Sequence, residues 1–260
     1  MIVVLENTDA AEAQRQPFFM ALASRGALLS HVSAEDHPSQ PNYLAMVAGS
    51  TYDVKTDDNV TLNARHVGDL LEEAGLNWKV YAENYPGNCF LGATSDVIYV
   101  RKHVPFLSFT DVQNDASRCA RVVNASDFAN DVRNGTLPAF SFYVPNLIND
   151  GHDTGPAYAD NWLRTTFQPL LDDPRFTAGM LLVVTYDESE SYLPGENTVA
   201  AVLVGDAIAP GASIASPLSH YSLLRLTETL LGVGTLNAGD TTAAPIEGIW
   251  KNDPARRAKQ

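Results

Sequence analysis

Short, continuous apolar runs rich in β-branched residues constrain the fold of this chain more than any other feature. They occupy residues 2–5, 27–32, 78–81, 139–144, 180–186 and 198–204. Runs without polar alternation are typical of strands that are buried on both faces. Amphipathic stretches at residues 10–24, 61–74, 158–171 and 221–231 separate several of them. This alternation predicts an α/β fold with a mostly parallel central sheet and helices on both of its faces.

The length and composition suit a single large α/β domain or two small ones. With 260 residues, of which 45% are hydrophobic, the chain can bury a substantial core. We expect one domain over residues 1–250, with a long irregular excursion at about 84–134, where prolines, glycines and polar clusters weaken the pattern. Residues 251–260 are expected to form a frayed, basic tail.

Two cysteines, Cys89 and Cys119, lie within this excursion. They are either two free thiols or one disulfide. Because the surrounding sequence is irregular and polar, we expect a disulfide, which would stabilise the fold by roughly 3–4 kcal/mol by closing a loop of about 30 residues. A disulfide requires an oxidising compartment. We therefore expect a secreted or periplasmic protein whose signal peptide has been removed.

The charge of the chain argues against two classes of partner. The formal net charge is −14, whereas a nucleic-acid-binding surface needs a basic face and anionic membranes attract basic segments. No run of eighteen apolar residues is present, so no transmembrane helix is predicted. We expect neither nucleic-acid binding nor stable membrane association, and the sequence does not indicate an oligomeric state.

A serine lies where the second strand gives way to a helix. Ser39 belongs to the polar run 37–42, which precedes a short apolar helix ending at Gly49. Pro41 suits the first position of that helix, which would place Ser39 beside free backbone N–H groups and the positive end of the helix dipole. Such a position binds anions and favours an alkoxide. The ordinary alternative is that Ser39 only caps the helix.

Polar residues also follow two other strands. Glu6 and Asn7 come directly after the first strand, and Asp187 and Glu188 come after the strongest one. The carboxyl ends of parallel strands share one edge of a sheet, where ligands bind. Carboxylate, amide and hydroxyl oxygens are the ligands of calcium and magnesium. We therefore predict one divalent cation, calcium or magnesium, held by these four residues with Ser39 nearby, although polar residues follow many buried strands without any such role.

Six histidines are present, and four lie at element ends or in polar loops. His152, between Asp150 and Asp153, is the strongest candidate, and a second, weaker ion site would involve Asp150 and His152. His103 follows Lys102, which makes a cationic pair suited to phosphate. His31 and His66 fall inside a predicted strand and a predicted helix and are expected to be structural.

These groups suggest a mechanism. A metal beside Ser39 would lower the pKa of its hydroxyl, so that its Oγ atom attacks phosphorus. Asn42 would donate to the phosphoryl group, and a histidine would protonate the leaving oxygen.

Six segments occur in one order along the chain and together resemble a known family. They are Glu6-Asn7, His37-Pro-Ser-Gln-Pro-Asn42-Tyr43, Asn149-Asp150-Gly-His152-Asp153, Asp160-Asn-Trp162-Leu163, Thr185-Tyr-Asp187-Glu188 and His220-Tyr-Ser-Leu-Leu-Arg225. The chain is similar, from residue 2 to about 232, to the phosphoesterase family of bacterial phospholipases C and acid phosphatases, within the alkaline phosphatase-like superfamily.

The resemblance implies a three-layer α/β/α sandwich and a phospho-enzyme intermediate on a serine or threonine. It implies that Ser39 is the nucleophile and that His152 and His103 lie near the phosphate. It further implies the same metal ligands, namely Glu6, Asn7, Ser39, Asp187 and Glu188. The first motif departs from the family, because Thr8 and Asp9 follow Glu-Asn in place of a longer run.

The predicted function is that of a metal-dependent, acid phosphatase-like phosphoesterase acting on phosphate monoesters at mildly acidic pH. One alternative is a phosphodiesterase of the phospholipase C type. A metal-free serine esterase is a weaker alternative, because the Ser39 context lacks the Gly-x-Ser-x-Gly turn of that class. A secreted binding protein with a structural calcium is the alternative that is not an enzyme.

Overall fold

The computed structural model describes residues 1–193 and 196–252, and a nine-stranded sheet lies at its centre. Most of the predicted tail lies outside the described residues. The strands are β1 (Ile2–Leu5), β2 (Ala27–Ser33), β3 (Trp78–Ala82), β4 (Thr94–Ser95), β5 (Tyr99–Val100), β6 (Val122–Asn124), β7 (Phe140–Val144), β8 (Leu181–Tyr186), β9 (Thr198–Gly205), β10 (Ala212–Ile214) and β11 (Leu218–Ser219).

The sheet is mostly parallel, as predicted. Its strand order is β10-β2-β9-β8-β1-β7-β3-β6, with β11 beside β2, whereas β4 and β5 form a separate hairpin. β9 is antiparallel to both of its neighbours, β2 and β8. The carboxyl ends of β1, β2, β7 and β8 therefore meet at one edge of the sheet, where the polar residues after these strands converge.

Helices cover both faces of the sheet. They are α1 (Ala10–Ala13), α2 (Pro17–Arg25), α3 (Ser39–Ala48), α4 (Val67–Glu73), α5 (Thr110–Gln113), α6 (Ala116–Cys119), α7 (Phe128–Asn134), α8 (Pro156–Leu171), α9 (Pro174–Thr177), α10 (His220–Leu231) and α11 (Gly239–Thr242). The connection from β1 to β2 and the connection from β2 to β3 run in opposite directions along the sheet. Because such connections are right-handed, their helices lie on opposite faces. In agreement, α2 packs on α8 while α3 packs on α10 and α4, which gives the predicted three-layer sandwich.

Three local predictions were wrong. The helix expected over 10–24 is two helices, because Pro17 lacks an N–H and starts a new one. The helix expected over 61–74 begins only at Val67, and His66 caps it by accepting a hydrogen bond from the Gly68 N–H. His31 is exposed and not part of the core, at a point where the register between β2 and β9 shifts.

The excursion at 84–134 contains more structure than its sequence indicates. It holds β4, β5, β6, the α-helices α5, α6 and α7, and three 3-10 turns, and its Cys89–Cys119 disulfide is confirmed. Arg101 is buried within it and donates hydrogen bonds to the carbonyls of Leu91 and Leu107. These bonds fix the turn that carries the next two residues, Lys102 and His103.

Candidate active site

The turn before α3 places Ser39 at the first position of that helix, two residues earlier than predicted. The side chain of Asn42 holds this turn in place. Its Oδ1 atom accepts hydrogen bonds from the N–H groups of Glu35 (2.8 Å) and Asp36 (3.0 Å), and its Nδ2 donates to the Asp36 carbonyl (2.7 Å). Both the oxygen and the nitrogen of the amide are thus hydrogen-bonded to backbone. This suits a role in positioning Ser39 better than a role as a donor to phosphate. Donation from Asn42 to a phosphoryl group stays a prediction.

Ser39 is buried between two carboxylates. Its Oγ atom lies 3.1 Å from Oε2 of Glu6 and 3.3 Å from Oε1 of Glu188. The hydroxyl has one proton, so it can donate to only one of them at a time. Tyr43, one helical turn after Ser39, donates its phenolic hydrogen to Oε1 of Glu6 at 2.6 Å. The strand ends of β1 and β8 therefore meet the start of α3, as the sequence predicts.

Two further carboxylates complete the cluster. Asp187 accepts the backbone N–H of Asn7 at 3.0 Å on one oxygen, and Asp150 accepts that of His152 at 2.8 Å. The other oxygen of each, Oδ2, is buried without a hydrogen-bond partner among the described residues. Asn7 adopts a positive φ of 46°, a conformation that asparagine tolerates, and it turns the chain at the end of β1.

The four carboxylates are buried together, and this raises their pKa values. Burial, followed by the charge of Asp187, raises the pKa of Glu6 well above its usual value. Burial also raises the pKa of Asp150 well above its usual value and that of Asp187 to about 6. Burial and the charge of Asp187 raise the pKa of Glu188 to about 9. A buried group of like charges is stable only with protons or a cation.

Lys102 is the cationic side chain nearest to the serine among the described residues. Its Nζ atom lies 3.4 Å from Oγ of Ser39 and 2.6 Å from Oδ2 of Asp57. Burial opposes the charge, yet Glu6 and Asp57 raise the pKa of Lys102 above its usual value. Lys102 is therefore an ammonium ion beside the Ser39 hydroxyl.

His103 lies deeper than its neighbour Lys102. Its Nε2 is 3.3 Å from Oε1 of Glu6, its Nδ1 is 3.5 Å from Oδ2 of Asp150, and its ring stacks on Tyr43 at 4.8 Å. Burial, followed by the charge of Lys102, lowers the pKa of His103 well below its usual value. The imidazole is thus neutral and offers nitrogen atoms to the carboxylate cluster.

The remaining histidines of this edge have different places. His152 lies at the surface with Nδ1 2.8 Å from Oδ1 of Asp153. His37 hydrogen-bonds Oε2 of Glu188 and stacks on Tyr192, with 4.1 Å between ring centres. His220 is buried, and its Nε2 donates to the Asp187 carbonyl at 2.6 Å. It therefore braces the end of β8, and burial lowers its pKa to about 4.

The cluster has the composition of a cation site. Glu6, His103 and Asp150 each offer a ligand atom, and the three atoms lie within 4.8 Å of one another. The unpartnered oxygens of Asp187 and Asp150 and the carboxylates on both sides of Ser39 are hard donors that suit a divalent cation.

Sequence reasoning missed Tyr43 and Asp57. Tyr43 could have been found, because a residue four positions after Ser39 lies on the same helix face. Asp57 belongs to a polar loop, and no local pattern marks it.

The chain is similar to known proteins over most of its length. The model of the phosphoesterase family matches residues 9–234. A probable acid phosphatase from Kluyveromyces lactis is 35% identical over 95% of this chain and 61% of its own length. A phosphatidylinositol-3-phosphatase from Mycobacterium tuberculosis is 34% identical over 96% of this chain and 82% of its own length.

The fold also matches a solved structure. A protein of the alkaline phosphatase superfamily from Vibrio parahaemolyticus superposes with a TM-score of 0.62 at 13% identity, over 95% of this chain and 70% of that one. The chain spans about three fifths of the length of the acid phosphatases it matches. The resemblance seen in the six sequence segments is confirmed, and the chain belongs to the phosphoesterase family.

Proposed function

We propose that this protein is a metal-dependent phosphoesterase that hydrolyses phosphate monoesters through a phosphoserine intermediate at Ser39. The observation that carries the proposal is the position of the Ser39 Oγ atom. It lies at a helix N-terminus, between Glu6 and Glu188, and 3.4 Å from the ammonium of Lys102. Two relatives, a probable acid phosphatase and a phosphatidylinositol-3-phosphatase, support a monoester substrate.

In the proposed reaction, Oγ of Ser39 forms a bond to phosphorus while the bond from phosphorus to the leaving oxygen breaks. Lys102 and the backbone N–H groups at the start of α3, one of which, that of Gln40, contacts Asp57 in this structure, stabilise the negative charge on the phosphoryl oxygens. A divalent cation, calcium or magnesium, held by Glu6, Asn7, Ser39, Asp187 and Glu188, would lower the pKa of the serine hydroxyl. Water then hydrolyses the phosphoserine and releases inorganic phosphate.

Two histidines have distinct proposed roles. His152 is exposed beside Asp153, so it can exchange protons with solvent and is the proposed donor to the leaving oxygen. It is close enough that its charge lowers the pKa of His103. His103 is buried and neutral, and its proposed role is to hold Glu6 and Asp150 in position.

A monoester carried on a lipid is a second candidate substrate. Tyr192 and Leu193 are 65% and 63% exposed, and Tyr192 stacks on His37, the partner of Glu188. Large apolar side chains exposed beside a site favour an apolar ligand, and one relative is a phosphatidylinositol-3-phosphatase.

No helix among the described residues is both long and apolar enough to cross a membrane. The disulfide supports a secreted or periplasmic location.

The decisive experiment replaces the proposed nucleophile. Ser39→Ala should reduce kcat for p-nitrophenyl phosphate by roughly three orders of magnitude or more. Wild-type protein quenched with acid during turnover should carry a phosphoserine, which mass spectrometry detects as an increase of about 80 Da, the mass of one HPO₃ unit. Ser39→Ala should abolish this increase. Ser24→Ala, the same change at an exposed position of α2, is the matched control. A Ser39→Ala protein with wild-type kcat would overturn the proposal.

A further inference from the structure

The loop between α3 and α4 places a carboxylate in direct contact with the proposed phosphate-binding groups. Oδ1 of Asp57 accepts a hydrogen bond from the Gln40 N–H at 3.1 Å, and Oδ2 accepts one from Nζ of Lys102 at 2.6 Å. Gln40 follows Ser39 in the first turn of α3, whereas Lys102 comes from the distant turn after β5. One carboxylate thus joins the two donors that flank the nucleophile.

The loop does not depend on this carboxylate for its position. The side-chain amide of Gln40 donates to the carbonyls of Thr56 (3.0 Å) and Asp58 (2.6 Å), on either side of Asp57. These two bonds attach the loop to α3 through its backbone. A change in the charge of residue 57 is therefore expected to leave the loop in place.

The two partners of Asp57 are the donors that an incoming phosphoryl group needs. A backbone N–H at a helix start and a lysine ammonium bind phosphate oxygens and carboxylate oxygens alike. Lys102 lies closer to Asp57 than to Ser39, at 2.6 Å and 3.4 Å respectively. Its charge is therefore already compensated before any substrate arrives.

We propose that Asp57 is a specificity-determining residue that acts as an internal anion, competing with the phosphoryl group of substrate and product for the Gln40 N–H and Lys102. This proposal rests on the proposed function, because it assumes that phosphate binds beside Ser39. Binding exchanges the carboxylate for phosphate oxygens on the same two donors, and release reverses the exchange. Asp57 thereby weakens retention of the product and favours phosphoryl groups that carry less negative charge.

The test measures the binding of inorganic phosphate by isothermal titration calorimetry, on the protein with its cation and at one fixed pH. Asp57→Asn should bind phosphate roughly tenfold more tightly than wild type, the effect expected for one charge-assisted hydrogen bond. Asp58→Asn is the matched control. It removes the same charge one residue away, where the carboxylate accepts only from the Thr56 hydroxyl among the hydrogen bonds described, and it should change the dissociation constant by less than about twofold.

Three results would overturn the proposal. Unchanged or weaker phosphate binding by Asp57→Asn would mean that the carboxylate only positions Lys102 or has no role in binding. Phosphate binding that Asp58→Asn tightens as much as Asp57→Asn does would mean a general effect of charge. Asp57→Ser, which also lacks the charge, should reproduce Asp57→Asn, and thermal unfolding checks that each variant is folded. Phosphate binding is measured without turnover, so a failure of the proposed function, seen as an active Ser39→Ala, is distinguished from a failure of this proposal.

Discussion

Two clusters in this molecule bring histidine and carboxylate groups within the distance of a shared metal ion, yet their electrostatics are opposite. The first is the serine cluster, which consists of His103 and the four carboxylates around Ser39, those of Glu6, Asp150, Asp187 and Glu188. The second is the arginine cluster, with His66, Asp69 and Asp111. In the arginine cluster, Nη1 of Arg118 lies 2.6 Å from Oδ1 of Asp69 and also contacts Asp111. The counter-charge of that cluster is part of the chain.

The pKa values follow from this difference. Burial alone would raise the pKa of Asp111, but hydrogen bonding and charge from His66, with the charge of Arg118, lower it to about 2. In the serine cluster, burial raises the pKa values of all four carboxylates, and the charge of Asp187 raises those of the other three further. The single positive charge of Lys102, which Asp57 also contacts, is too small to balance the charge of four carboxylates. Carboxylate and histidine groups of this kind are therefore expected to bind a metal cation only where no cationic side chain of the protein already balances their charge.

The largest effect should come from removing one acid of the serine cluster. Asp187→Asn should lose the proposed cation and reduce turnover of p-nitrophenyl phosphate by roughly a thousandfold or more, because in the proposed reaction the cation would activate the Ser39 hydroxyl. Elemental analysis and kcat measure the two effects. Asp111→Asn is the matched control and should retain both the metal and kcat. Equal metal loss from both variants would remove the distinction between the clusters.

Removal of the cation should itself destabilise the fold. Chelation should lower the free energy of unfolding by about 4 kcal/mol if the cation was present at a thousand times its dissociation constant. Calcium or magnesium should restore the unfolding temperature. The shift should be the same in an Arg118→Gln protein, since the arginine cluster holds no cation in this account. A thermal transition that chelators do not change would contradict the cation site.

The pH dependence of stability should separate the clusters in the metal-free protein. The folded-state pKa values of Asp187 (about 6) and Glu188 (about 9) lie above their usual values of 3.8 and 4.5. The folded state therefore binds more protons than the unfolded state between about pH 4 and pH 9, and the free energy of unfolding should fall as pH rises through this window.

The arginine cluster should act in the other direction. The pKa of Asp111 is lowered from 3.8 to about 2, so its contribution is fully present above pH 4 and is lost as pH falls toward 2. Urea unfolding from about pH 2 to about pH 9 measures both slopes. Glu188→Gln should reduce the fall in the free energy of unfolding between about pH 4 and pH 9. An unchanged fall in that variant would show that the serine cluster does not cause it.

The smallest effect should come from the arginine itself. Arg118→Gln removes the counter-charge of Asp69 and Asp111 and should lower the free energy of unfolding by about 1–3 kcal/mol, with kcat unchanged. Urea unfolding at neutral pH and turnover of p-nitrophenyl phosphate measure this. A fall in kcat would mean that the two clusters are coupled.

The sequence predicted much of this edge because its signals are local. The apolar strands end abruptly, so Glu6 and Asp187 could be placed at the sheet edge, and Ser39 could be placed at a helix start. The direction of β9 could not be inferred from its residues, since an eight-residue apolar strand buried between neighbours looks alike in either direction. The short connection from β8 was the available signal, because parallel neighbours need a longer one.

Other contacts depend on turn geometry or on distant pairings that the residue pattern does not show. The amide of Asn42 bonds the backbone of the preceding turn, and its donation to phosphate stays a prediction. The place of Asp57 depends on Lys102, which is 45 residues away in the chain.

The antiparallel direction of β9 also bears on how proteins with this fold can diverge. Because β8 and β9 run in opposite directions, both ends of their connection lie at the edge of the sheet that carries Ser39. No helix has to return across a face of the sheet. The connection carries Tyr192 and Leu193 beside the site. Residues inserted there would leave the sheet register and Ser39 untouched, since longer surface loops cost little in stability. Substrate preference in this architecture can therefore evolve, or be engineered, by changes of length at one place while the chemistry is inherited intact.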